Sequence, residues 1–87
     1  MENLRFRTKF STMGKQQRNQ LIPEMVMWLE SSIRPEVKPE HLSFLIDFEN
    51  ALQQQLNQDK IPDTWFQQLL TTYGSFPFYD RFVRKYL

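Results

Sequence analysis

Five prolines, at positions 23, 35, 39, 62 and 77, set the limits on what this chain can become. Each lacks an N–H to donate, and each pushes the residue before it out of the α region, so no long helix or central strand runs across them unbroken. Between them the apolar residues recur at helical spacing. From about Gln20 to Arg34, Ile22, Met25, Val26, Leu29 and Ile33 form one stripe, which Leu21 and Trp28 widen. Pro23 fits if it lies in the first turn and otherwise kinks a longer helix. "RPEVKPE" then ends that helix. A second opens at Pro39 and is expected to run to about Gln58, with Leu42, Leu45, Phe48, Leu52 and Leu56 as its buried stripe and Phe44, Ile46 and Ala51 broadening it.

"NQDKIPD" breaks the pattern, and a third helix follows. Thr64 is its expected N-cap, with Gln67 three residues on as capping-box partner, and Gly74 is placed to stop it in a left-handed conformation. Pro77 then stands near the first position of a fourth helix. There Phe78, Tyr79, Phe82, Val83 and Tyr86 face one way, while Asp80, Arg81, Arg84 and Lys85 face the other. The glutamines of "QQQLNQ" read as the solvated face of an amphipathic helix.

Only one segment departs from this reading. In "NLRFRTKF", Leu4, Phe6 and Phe10 alternate with Arg5, Arg7 and Lys9, the period-two pattern of a strand. A lone strand has no ladder partner in its own chain. It can stay disordered, form a ribbon across a homodimer, or add to the sheet edge of another protein. The expected fold is therefore all-α: a small bundle of about four helices, the last two short, preceded by a basic, extended, strand-like amino-terminal arm. Residues 1–87 make a single domain, with 1–15 as the arm, because 87 residues are too few for two cores.

The chain has no cysteine, so neither disulfides nor thiolate metal sites are expected. His41 is its one histidine. It has no second imidazole or thiol with which to ligate a metal, and the serines have no base beyond it. Gly14 and Gly74 are too far apart for a phosphate-binding loop. These features predict a protein that is not an enzyme and needs no cofactor. No apolar run spans a bilayer and no apolar stretch follows the amino-terminal charges, which predicts a cytoplasmic protein without membrane contact.

Two features point to function. Eight of the aromatic residues crowd the last quarter: Trp65, Phe66, Tyr73, Phe76, Phe78, Tyr79, Phe82 and Tyr86. At about 150–250 Å² each, most of them can serve as the core, but two short helices have little inner face for eight large side chains, and a leftover aromatic surplus is typical of protein interfaces. They are the candidate protein-binding residues of a non-enzymatic regulator or adaptor, its partner another protein or a second copy in a homodimer. The alternative rests on charge. Residues 1–20 carry Arg5, Arg7, Lys9, Lys15 and Arg18 against Glu2 alone, and these five are the candidate nucleic-acid contacts of a DNA-binding, nucleoid or transcription regulator.

An arm followed by helices is similar in outline to the ribbon-helix-helix repressors. There, however, the strand leads almost directly into the first helix, whereas here "STMGKQQRNQ" intervenes. "DKIPDTWFQQ" resembles the end of the small Hha-type nucleoid modulators, which pair with a histone-like DNA-binding protein. That likeness covers Asp59 to Trp65, lacks a counterpart for the fourth helix, and assigns no family.

Overall fold

A computed structural model describes residues 2–86, with side chains from residue 7 onward. It is all-α: five α-helices and no strand among the described residues. The order is α1 (Glu2–Thr12), α2 (Lys15–Trp28), a π-turn (Leu29–Ile33), 3₁₀ turns at Arg34–Glu36 and Pro39–His41, α3 (Leu42–Gln53), α4 (Asp63–Tyr73) and α5 (Pro77–Lys85).

The extended arm is the main correction. Glu2–Thr12 is helical, so its backbone groups pair within the segment and need no outside strand. Spacing explains the misreading. Phe6 and Phe10 are four apart, a distance that satisfies both a strand of period two and a helix of period 3.6. In the helix, Phe10 is buried against the rings of Trp65 and Phe66, at 6.2 and 6.3 Å between centroids. Those contacts dock α1 onto α4.

Pro23 lies inside α2 rather than in its first turn, since the helix already begins at Lys15. Farther on, Pro35 has no N–H for the Ser31 carbonyl, and its ring crowds that turn. The chain widens there into the π-turn, which keeps Leu29 and Ile33 wholly inside. α3 stops at Gln53, short of the expected Gln58. Successive three-residue hydrogen bonds, Gln55 N–H to Leu52 and Leu56 N–H to Gln53, tighten its end until Asn57 turns left-handed at φ 67°. Asn19 holds that turn from α2: its Oδ1 accepts the Asn57 N–H at 2.8 Å and its Nδ2 donates to Asn57 Oδ1 at 3.2 Å.

α4 begins one residue before the expected cap. Pro62 is the extended N-cap residue, no side chain caps the helix, and Asp63 sets its charge against the positive helix end. Gly74 is right-handed (φ −61°, ψ −23°), not left-handed. Glycine is needed there because a Cβ would lie 2.3 Å from the Leu70 carbonyl oxygen, which accepts the Gly74 N–H at 2.9 Å. Gly74→Ala is therefore expected to cost about 1–3 kcal/mol, as overpacking does, and to lower the melting temperature by several degrees in a calorimetric scan.

The core runs through all five helices. Ile22, Met25, Leu29 and Ile33 come from α2 and the π-turn, Leu45, Phe48 and Leu52 from α3, Phe66 and Leu69 from α4, and Phe78, Phe82 and Val83 from α5. Phe48 is its hub, with the rings of Tyr73, Phe78, Tyr79 and Phe82 at 5.2, 5.8, 5.9 and 4.9 Å.

Candidate functional site

Most of the aromatic surplus lies in the interior. Trp65, Phe66, Tyr73, Phe78, Tyr79 and Phe82 are all buried, and only Phe76 and Tyr86 reach the surface, half-buried. Burial pushes the Tyr79 hydroxyl up to about 12. It also raises Tyr73, with Asp47 adding to the effect, and Tyr86, with Glu24 adding to it. These phenols stay protonated across the physiological range and serve as ring surface rather than as acids.

The cations are dispersed as well. The Arg5 side chain lies outside the described residues. Arg7 meets Asp63 at 2.9 Å and Lys15 meets Asp59 at 3.4 Å, while Lys9 is exposed on α1. Arg18 is 3 % exposed and faces inward. Its Nη1 donates to the Met13 carbonyl at 2.7 Å, and its Nη2 donates to the carbonyls of Gln58 and Asp59 at 2.5 and 3.0 Å. A guanidinium committed to three backbone oxygens is not a phosphate contact. Of the four candidates with described side chains, Arg18 is turned away from any basic surface and Arg7 and Lys15 face carboxylates.

The surface instead opens where sequence reasoning placed core. Phe44 and Ile46 flank the α3 stripe and are 39 % and 36 % exposed; Leu70 and Met27 are more so. Phe44 is part of a cluster. Its ring lies 4.8 Å from Phe76, which also meets the edge of His41 at 5.0 Å and stacks on Phe78 at 5.3 Å. Beside this cluster lies a groove of about 280 Å³ lined by Ile33, Val37, His41, Pro77 and Phe78. Two prolines shape it. Lys38 and Phe76 each precede a proline and are extended (ψ 143° and 138°), so the chain turns outward at both and leaves a concavity between. An ion pair between Arg81 and Glu36 crosses its rim, with Lys38 alongside.

The signal for this site was present in the sequence as "VKP" and "SFP": two X-Pro corners, each beside apolar residues. A second cavity, of about 290 Å³, lies between α1, α2 and Tyr86, floored by Phe10, Met13, Leu21 and Met25. Its mouth carries Gln17, Gln20, Lys9 and Glu24, a more polar setting than the first.

Chemically, the aromatic groove can accept an aliphatic or aromatic side chain and offer charged rim partners to its neighbours. Among the described residues no group of three His, Cys, Asp or Glu could hold a metal ion, and no helix is long and apolar enough to cross a membrane. Comparison with protein-family models, with curated proteins and with solved structures gives no match for this chain.

Proposed function

We propose that the protein is a non-enzymatic interaction module, a small regulator or adaptor, and that it binds another protein through the Phe44–Phe76 face and the groove beside it. One observation carries this reading: the 39 % exposed ring of Phe44 packs on Phe76, and Phe76 in turn contacts His41 and Phe78, which line an apolar concavity. Exposed aromatic residues beside a pocket are what concentrates binding energy at protein interfaces. A homodimer is the same reading with a second copy as the partner, and sedimentation of the isolated chain separates the two.

The test is affinity capture from the native host with three baits. The wild-type chain is expected to retain a partner. Phe44→Ser with Phe76→Ser is expected to lose it at least tenfold, the loss that removing about 1.4 kcal/mol of contact produces. Met27→Ser with Leu70→Ser, exposed apolar positions outside the groove, is expected to retain it. Retention by all three baits would rule the groove out as the contact. The DNA-binding reading has less beneath it, because Arg7 and Lys15 already face carboxylates and Arg18 is interior.

A further inference from the structure

The second cavity, of about 290 Å³, stands at the small end of the range for ligand sites, which are often found between the helices of bundles. Helical spacing builds its walls. Gln17, Gln20, Leu21, Glu24 and Met25 fall at the three- and four-residue steps that share one face of α2. Phe10 of α1 and Met13 of the turn after it complete the floor.

These walls are held from behind. The Phe10 ring rests on Trp65 and Phe66, and the Met13 carbonyl accepts from Arg18 at 2.7 Å. Tyr86 is fixed by ring contacts with Trp28 at 5.9 Å and Phe82 at 5.1 Å. The cavity is therefore largely pre-formed, while its two thioethers can adapt to the shape of what enters.

Its mouth carries one charge of each sign. Lys9 and Glu24 are both exposed, and neither forms an ion pair with the other or with any described residue. The primary amides of Gln17 and Gln20 lie at the same rim, and each can both donate and accept. A ligand with only a carboxylate would gain Lys9 but meet Glu24 as a like charge. One with only an ammonium would meet the reverse, and a purely apolar one would use neither. The whole site is used by a molecule that carries both charges beside one apolar group.

We propose that this cavity binds a free α-amino acid with a large apolar side chain. The side chain enters among Phe10, Met13, Leu21 and Met25. The carboxylate meets Lys9 and the ammonium meets Glu24, while Gln17 and Gln20 serve the remaining donors and acceptors. Both charges of the ligand stay in the exposed mouth and keep part of their hydration, so the expected Kd is modest, about 10 µM to 1 mM. This site does not depend on what the groove binds.

The test is a ¹H–¹⁵N shift titration of the full chain with L-phenylalanine. The comparison ligands are 3-phenylpropanoate, which lacks the ammonium, phenethylamine, which lacks the carboxylate, and glycine, which lacks the ring. L-Phenylalanine is expected to shift the amides of Met13, Leu21 and Met25 saturably. Each one-charge analogue is expected to bind about fivefold more weakly, the loss of one partly solvated charge contact, and glycine not to bind. Glu24→Gln should weaken L-phenylalanine about fivefold and leave 3-phenylpropanoate as tight or tighter. Lys9→Gln should do the same with phenethylamine in its place. Both variants alter exposed side chains and should fold as the wild type does. Absence of saturation at about 10 mM L-phenylalanine would overturn the proposal. So would an affinity for L-phenylalanine equal to that for any comparison ligand, or unchanged in both variants. Shifts centred on Val37, His41 and Phe78 would place the ligand in the groove and defeat it as well.

Discussion

Phe48→Ala is expected to remove about 3–5 kcal/mol of stability, the range for deleting a phenylalanine ring from a packed core. Phe48 has no exposed surface, and four rings from two other helices close on it within 6 Å. Those rings are held in place by each other and by helices too short to stand alone, so the cavity cannot collapse cheaply. A domain of this size has about 4–13 kcal/mol in total. The variant should therefore be marginal at room temperature, with α4 and α5 losing their common support. Phe44→Ala, one turn earlier on the same helix, is the control. Its ring is 39 % exposed, and the expected cost is about 1 kcal/mol or less. Urea unfolding followed by circular dichroism measures both, with an unchanged slope and a lower midpoint marking a pure stability loss. Equal midpoint shifts for the two variants would show that Phe48 is not the centre of the core.

The contrast between Phe44 and Phe48 also shows how far the sequence can be read. Periodicity located the α3 stripe, and the inner residues Leu45, Phe48 and Leu52 are buried as that stripe requires. Its edges were illegible, because whether a flanking ring is covered depends on what the neighbouring chain does. At Phe44 the neighbour is Phe76, set outward by the proline after it. The aromatic crowding from Trp65 to Tyr86 was visible, but how it divides between core and surface was not, for a similar reason. Counting the inner face of two short helices leaves out the surface that α1 and α3 supply, through Phe10 to Trp65 and Phe66 and through Phe48 to Tyr73, Phe78, Tyr79 and Phe82. Pro77 is legible because its requirement is local, and it opens α5 as a first-turn proline should. Gly74 announced a constraint without its nature: the close approach to the Leu70 carbonyl is a property of the packed turn, not of the residue. The five amino-terminal cations raised the hardest ambiguity. Charge in a sequence carries no direction, and one of the five turned inward.

That inward cation, Arg18, supports the second large prediction. Its position is unusual because no carboxylate among the described residues pairs with it. The guanidinium is 3 % exposed and donates to three backbone carbonyls, while its Nε has no hydrogen-bond partner among the described residues. Desolvating a cation opposes folding by several kcal/mol, so the three charge-assisted bonds must roughly offset that cost. What makes the residue expensive to remove is what would remain. The carbonyls of Met13, Gln58 and Asp59 would lose their donor, at about 1–3 kcal/mol for each one that water cannot reach. Arg18→Met keeps most of the side-chain volume and strips the donors, and it is expected to lose about 3 kcal/mol. Arg18→Lys keeps the charge, but a single ammonium lacks the planar fork that reaches Met13 on one side and Gln58 and Asp59 on the other. Its loss should be intermediate. Because the acceptors are neutral backbone carbonyls rather than charged groups, added salt should leave both losses nearly unchanged, unlike those of the exposed ion pairs. The damage should also be local. Arg18 ties the α1–α2 turn to the loop before α4, and that loop leads into α4, whose Trp65 stacks on the ring of Phe10. Hydrogen exchange is therefore expected to accelerate first in α1 and at the start of α4, with α3 and α5 protected longest. A Met variant within 0.5 kcal/mol of the wild type, or exchange that accelerates uniformly, would mean that Arg18 fills space without holding these two turns together.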